Sequence, residues 1–386
     1  MKSFKMVGEW LWANTVYEAG ENGADIICDR YAEMGITDIV LLVKGNLGRV
    51  CYLKGEVPMA RSDYGGRDIL QEVLDAAHTR GIRVHAWVCN SGDATFKEYD
   101  PEAGMYHYEN GRDNNRINFY NEGYRTYIEK LVVEMLQNYD VDGFHFDYIR
   151  YNHLCNGWSD RDFAKLEAMG ADISHIKEMI ERTLGYNGRD EEPEYIFEQF
   201  RQGDADAHLI AKYRRGNVIA YAKKIAAAAR EAKPDVILSA ALMPEGAYDL
   251  AFADLHYGQN YADLSAVVDF IMPMTYSLDY HQDAAWVTKV AEGALEKGGK
   301  VLMGLQAYGT STTEQLTSDV AAVRSLLEND ASEAATENLL GIALFRTGEF
   351  SYVKMSQLGA EDLDQAMAKV REFMPDAGCV YIVCDK

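Results

Sequence analysis

The chain is short of basic residues. Its 38 lysines and arginines face 61 aspartates and glutamates, a net charge of −23 over 386 residues. Phosphate backbones need a cationic surface, so the balance argues against nucleic acid as a partner. No apolar run reaches the length of a membrane span. The N-terminus, MKSFKMVGEWLW, lacks the apolar core of a secretion signal and runs straight into a strand pattern. That favours the cytoplasm, although a trimmed signal would leave the same start. The six cysteines contain no C-x-x-C pair, so neither a zinc site nor a disulfide framework is expected; Cys28 and Cys89 fall in apolar patterns, as small buried hydrophobes do. No glycine-rich loop opens into a helix: Gly45-Asn46-Leu47-Gly48 stands apart from one, which makes an open nucleotide-binding sheet the lesser reading. The H-x-H pattern of many metal-dependent barrel hydrolases is also missing.

What is present is a beat of alternating strands and helices. Strand patterns run over 5–14, 36–44, 82–90, 141–151, 236–243, 269–276, 300–308 and 341–346. Helix patterns at 24–34, 67–80, 122–139, 216–233, 284–297 and 314–329 lie between them, with a short helix inside 250–268. Near-continuous apolar strands such as Ile36–Lys44 suit a parallel sheet covered on both faces. Eight such units predict an α/β protein closed into a single (β/α)8 barrel. Residues 152–214 are too long for a strand-to-helix loop and predict an inserted lid or subdomain after strand four, with a helical piece at 161–184. Residues 351–386 add a helix, 360–373, and an apolar tail, 379–384, packed on the barrel.

The fourth strand pattern, "VDGFHFDYIRY", carries the strongest functional signal. Alternation sends Phe144, Phe146 and Tyr148 to one face and Gly143, His145 and Asp147 to the other. Asp147 then sits at the C-terminal end of a barrel strand, where catalytic groups of such barrels gather. The same reasoning places Val84, Ala86 and Val88 against helices and turns His85, Trp87 and Cys89 inward. Strand ends contribute Trp12, Lys44, Tyr276, Gln306, Tyr308 and Arg346, and Arg150 follows Asp147 closely. Aromatic, amide and charged groups around one mouth suit a sugar, and Arg150 or Lys44 would hold Asp147 ionised. Packing is the competing reading for the rings, and internal hydrogen bonding for His85 and His145.

Glycosidic cleavage needs two carboxyl groups flanking the bond. Asp147 is the candidate nucleophile. Glu245, in Leu242-Met243-Pro244-Glu245-Gly246, shares the parity of Ser239 and Ala241 and is the candidate proton donor; Asp249, Glu349 and Glu9 are rivals.

"NYDVDGFHFDYIRY" resembles the signature of the glycosyl-hydrolase-like family 10 proteins, as do "VGEWLW", "RVHAWV", "YRRGNVIAYAKKIAAAAREAKPDV" and "GQNYADLSAVVDFIMPMTYS". The resemblance spans most of residues 5–350. It implies a TIM barrel acting on polysaccharide or other glycan chains, without a metal or organic cofactor. It also implies a distant relation to α-amylase-like barrels, in which a strand-four aspartate is the nucleophile; Asp147 matches that position. The strand-five acid of those barrels falls near Glu245, where the local motif departs, and the loop "NNRINFYNEGYR" and the long insertion depart too. The expected activity is that of a retaining glycoside hydrolase on an oligo- or polysaccharide; a wider separation of the two carboxyl groups would instead make Asp147 the base of an inverting site. Trp12, Lys44, His85, Trp87, His145, Arg150, Tyr276, Gln306, Tyr308 and Arg346 would bind the sugar. A non-catalytic carbohydrate-binding barrel is the alternative, and a metal-dependent hydrolase using His85, His145 and Asp147 a weaker one. No oligomeric state is implied.

Overall fold

The computed structural model describes residues 3–297, 299–328 and 337–385. Eight parallel strands close on themselves: β1 (Met6–Trp12), β2 (Asp38–Lys44), β3 (Arg83–Cys89), β4 (Gly143–Asp147), β5 (Ile237–Leu242), β6 (Phe270–Thr275), β7 (Lys300–Gln306) and β8 (Leu339–Phe345). Each pairs with the next, and β8 returns to β1 with Met6 opposite Gly341. The closed barrel is the (β/α)8 architecture that the alternating pattern predicts.

Helices of seven or more residues lie around the barrel and in the insertion after β4. They are α1 (Gly23–Met34), α2 (Ile69–His78), α3 (Glu122–Asn138), α4 (Asp160–Ala168), α5 (Ile173–Leu184), α6 (Tyr195–Arg201), α7 (Ala205–Ala232), α8 (Ala284–Glu296), α9 (Thr313–Glu328) and α10 (Leu363–Phe373). Asn329, the last residue of the expected 314–329 helix, lies outside the described residues. Val84, Ala86, Val88, Phe144 and Phe146 join the apolar layer between strands and helices, as their parity requires. A separate cluster fills the barrel: Met6, Trp10, Val40, Trp87, Phe270, Met272, Leu302, Leu340 and Ala343. Gly143 is demanded by this filling. A Cβ there would meet His85 Nδ1 at 2.1 Å, closer than any side chain tolerates.

The insertion is more helical than its sequence pattern suggests. Its single expected helical piece is two helices, because Gly170 takes a left-handed φ of +98° and Asp172 then caps α5, accepting from the N–H groups of Ser174 and His175. Ser159 and Asp162 form a reciprocal capping box on α4. The expected 216–233 helix begins eleven residues sooner, with Asp204 as its cap, and α7 carries the chain from the insertion back to the barrel. Leu154, Trp158, Leu166, Ile176, Met179, Ile180, Ile196 and Ile210 make a core for this unit that is distinct from the barrel's.

Several segments whose pattern predicts loops contain short strands. Arg49–Val50 and Ala60–Arg61 extend the sheet beside β2, and Gly104–His107 pairs with Gly111–Ile117 as an antiparallel ribbon. The apolar tail is also a strand, Cys379–Val383, paired in parallel with Phe350–Lys354. It docks on α9, where Val380 N–H donates to Thr313 Oγ1 at 3.0 Å. No disulfide joins any of the six cysteines. No helix among the described residues is long and apolar enough to cross a membrane.

Candidate active site

A cavity of about 430 Å³ opens at the C-terminal end of the barrel strands. Its volume is within the range of small-molecule sites. Trp10 and Trp87 lie at its base, and Trp12, Tyr276, Tyr280, Tyr308 and Phe345 form aromatic walls. Two carboxylates line it, Asp147 and Asp279, together with one guanidinium, Arg150.

Asp147 is the last residue of β4 and is buried to 6% exposure. Trp87 Nε1–H donates to Oδ2 at 2.9 Å, and the backbone N–H of Tyr148 donates to Oδ1 at 2.6 Å. Arg150 Nη1 stands 3.5 Å from Oδ1. Burial pushes the Asp147 carboxyl above the usual aspartate range, and the Arg150 charge and the two N–H donors offset only part of that. The next residue, Tyr148, has a left-handed φ of +52°, which turns the chain sharply away from the strand. Its ring lies under two guanidiniums, Arg150 at 4.4 Å and Arg116 at 4.7 Å.

Asp279 reaches the cavity from the loop after β6. Gln306 fixes that loop: its Oε1 accepts from the N–H groups of Leu278 and Asp279 at 3.0 and 3.2 Å, and its Nε2 donates to Asp279 Oδ1 at 2.9 Å. The Tyr308 hydroxyl donates to Asp279 Oδ2. Ser277 Oγ donates to Asp319 Oδ2 on α9, which anchors the loop from the other side.

The candidate residues divide sharply. Asp147, Trp12, Trp87, Arg150, Tyr276 and Tyr308 converge on the cavity. Arg346 lies beside it, its guanidinium 3.8 Å over the Trp12 ring and paired with Glu349 at 2.7 Å. The others are placed elsewhere. Lys44 is fully buried, paired with Asp93 at 3.0 Å and donating to the carbonyls of Cys89 and Gly92. It ties the loops after β2 and β3 together and does not reach the cavity. Gln306 anchors the Asp279 loop from behind.

His85 lies toward the barrel floor with its Nε2 2.8 Å from Asp38 Oδ1. Arg83 clamps both oxygens of the same carboxylate at 2.8 and 2.9 Å. Burial raises the Asp38 pKa, but His85, Arg83 and Thr37 outweigh it and hold it below the usual range. His145 shares its Nδ1 with Ser239 Oγ at 2.8 Å, and burial, reinforced by His85, pushes it down to about 3, so it is neutral. Neither histidine lines the cavity. Among the described residues no three His, Cys, Asp or Glu side chains are grouped as a metal would need, so His85, His145 and Asp147 are not such a set.

Glu245 sits on a 3₁₀ turn, Pro244–Ala247, behind Tyr280 rather than in the cavity wall. The Tyr280 hydroxyl donates to its carboxylate at 3.1 and 3.3 Å. Burial pushes the Glu245 carboxyl upward against the pull of Tyr280 and Arg150. Of the other rivals, Glu9 is turned outward into the strand–helix layer beside Arg30 and Tyr31, and Asp249 pairs with Arg201 at 2.7 Å. The second carboxylate of the cavity, Asp279, escapes a strand-parity reading because it lies in the turn after β6, where alternation no longer applies. Its one sequence signal is its place three residues after Tyr276.

Several solved structures named as glycoside-cleaving enzymes share the fold. The glycoside hydrolase domain of PgaB (BpsB) from Bordetella bronchiseptica superposes with a TM-score of 0.64 at 14% identity, over 89% of this chain and 94% of that one. The catalytic domain of β-amylase from Paenibacillus polymyxa gives 0.58 at 10% identity, over 96% and 97%. These identities speak for the fold alone. In sequence, an S-layer-related protein of Niallia circulans is 27% identical over 209 residues, which is 45% of this chain and 13% of that protein. The pattern of one family, glycosyl hydrolase-like 10, matches residues 49–316. That match takes in β3 to β7 with Asp147 and Asp279, well over half of the chain, and the chain belongs to the glycosyl hydrolase-like 10 family.

Proposed function

We propose that the protein hydrolyses glycosidic bonds in an oligo- or polysaccharide. The observation that carries this reading is the pair of carboxylates, Asp147 and Asp279, in one aromatic-walled cavity at the catalytic end of the barrel. The rings offer apolar faces to the C–H surface of a pyranose. Trp12 is the most open of them, at 37% exposure.

Asp147 is the nucleophile. Its carboxylate has three cationic or N–H partners that offset part of the burial favouring its neutral form, and it lines the cavity at the end of β4. Asp279 is the general acid and then base. Gln306 and Tyr308 aim it while it lines the cavity directly, a position Glu245 does not share. In the first step Asp147 bonds to the anomeric carbon as the glycosidic C–O bond breaks, and the proton carried by Asp279 passes to the leaving oxygen. In the second, Asp279 takes a proton from water, whose oxygen displaces Asp147. The anomeric configuration is therefore retained. Glu245 is a positioning residue that orients the Tyr280 ring through its hydroxyl.

The test is hydrolysis of a panel of oligosaccharides of defined linkage by the wild type, Asp147→Asn and Asp279→Asn, with product anomers followed by NMR. The reading expects wild-type turnover with retention and near-complete loss in both variants. Equal turnover by all three proteins removes both carboxylates from catalysis. A wild type that binds glycans and cleaves none makes the barrel a carbohydrate-binding module.

A further inference from the structure

A second cavity, of about 320 Å³, adjoins the first. The two share Trp12, Leu42, Gly45 and Asn46 as a common wall, so they are neighbouring chambers of one cleft. The second chamber is built by the loops after β1 and β2 and by the short strands beside β2. Beyond the shared wall its lining sets the polar and aromatic side chains of Asn14, Arg49, Ser62 and Tyr64 among the apolar ones of Ala13, Val43, Leu47 and Cys51. The Tyr64 hydroxyl donates to Asn14 Oδ1 at 2.6 Å, which leaves the Asn14 amide N–H groups turned to no protein acceptor among the described residues. Arg49 is exposed and makes no ion pair with any described carboxylate. It is the one charged side chain on that wall among the described residues, in a protein with a net charge of −23.

Neither carboxylate of the first chamber lines the second, so no bond is cleaved there. A shared tryptophan, an amide, a hydroxyl and an unpaired guanidinium are instead the equipment for holding a sugar ring by its face and its hydroxyls. We propose that this chamber is a distal subsite for the next residue of the same glycan chain, a neutral or carboxylate-bearing pyranose, with Trp12 spanning the junction. The inference rests on the hydrolase reading and sharpens it: the substrate is a chain, and a single glycoside fills only part of the cleft. A cationic amino sugar is disfavoured at this subsite because it meets Arg49.

The rigidity of the chamber supports the assignment. Its floor loop is tied down by hydrogen bonds: the Ala94 N–H donates to the Asn46 carbonyl and the Thr95 N–H to the Leu47 carbonyl, each at 3.2 Å, and Thr95 Oγ1 donates to the Leu47 carbonyl at 2.8 Å. The buried Lys44–Asp93 pair sits under the same two loops. The chamber is thus preformed, and binding there costs little ordering.

The experiment uses oligosaccharides of two to six units of whichever glycan in the panel the wild type cleaves. For the wild type, kcat/KM should climb at least ~10-fold when the added unit reaches the second chamber, about 1.4 kcal/mol of binding. Ser62→Trp, which fills the chamber, and Arg49→Ala, which removes its charge, should flatten that climb, with bond-cleavage position on longer oligomers shifting as well. A wild-type profile flat with length, or variants that keep the same climb while folded by circular dichroism, overturns the subsite and leaves the hydrolase reading standing. A wild type that cleaves no glycan sinks the hydrolase reading and the subsite with it.

Discussion

The two ends of β4 show how differently one barrel treats its polar groups. At the floor, His85 and Arg83 both pair with Asp38, and His145 meets Ser239 through one ring nitrogen. Met6, Phe270, Leu302 and Leu340 fill the space around them. At the mouth, four residues along the strand from Gly143, Asp147 opens into about 430 Å³ while Trp87, the Tyr148 N–H and Arg150 hold its oxygens. The floor pairs its charges within packed side chains, while the mouth holds its own beside open space. A polar residue inside a barrel is therefore not by itself a sign of function. The partner it already has decides the matter.

That contrast can be broken first at the mouth. Asp147→Asn should lower kcat by at least ~10³-fold, since the covalent step has no other nucleophile, while the melting temperature holds or rises because a buried carboxylate becomes a neutral amide. If Asp147→Asn unfolds the protein instead, Asp147 belongs with the floor. Asp279→Asn should cost ~10²–10⁴-fold on substrates with poor leaving groups and much less on activated aryl glycosides, which need no proton. Glu245→Gln is the control; if it shows the same leaving-group dependence and Asp279→Asn does not, Glu245 is the proton donor.

The floor should respond in the opposite way. Asp38→Ala strands Arg83 and His85 beside each other and should destabilise the fold by about 3–5 kcal/mol, read by urea unfolding, with kcat per folded molecule unchanged. A catalytic loss without a stability loss would erase the distinction between the two ends.

Glu9, in the strand–helix layer, gives a pH-dependent case. Burial raises it to about 7, against the opposing pull of Thr347, Arg30 and Tyr31. The Tyr31 and Thr347 hydroxyls bond each other beside it, and neither Glu9 oxygen completes a well-formed hydrogen bond. A folded pKa above the unfolded value means stability that is full below about pH 4.5 and lost as pH rises to about 7. Glu9→Gln should therefore gain up to about 3 kcal/mol over the wild type at pH 8 and little at pH 4. A gain independent of pH would show that Glu9 does not titrate in this window.

The smallest expected change is kinetic. Arg150 is the largest influence opposing the burial of Asp147. Arg150→Met removes that attraction, so the Asp147 pKa rises further and the acid limb of the kcat/KM profile moves to higher pH. A limb that stays in place would mean that another group sets it.

Strand alternation makes most of the fold legible in the sequence. The eight strands, the inward set of His85, Trp87 and Cys89 and the outward Phe144 and Phe146 follow from period-two patterning, because closure into a barrel gives each strand one inner and one outer face. Depth within the barrel is not legible. His85 and Trp87 share a face, yet one lies toward the floor and the other at the cavity, and only the register between strands separates them. Lys44 illustrates a further limit: a strand-end lysine reads like a ligand group until the loop carrying Asp93 folds over it. Asp279 and the chamber walls lie in turns, whose positions depend on contacts distant in sequence such as Gln306 to Asp279.

Gly143 bears on more than the packing of one ring. His85 occupies the space where its side chain would be, so β4 can sit against β3 at one height only. Slipping the strand by a single residue would drive Phe144 onto the imidazole and swing Asp147 out among the helices. The histidine thus acts as a peg, and the missing side chain as its socket. Between them they set the elevation of a carboxylate four residues away, which gives a residue that touches no sugar a say in where the acid stands.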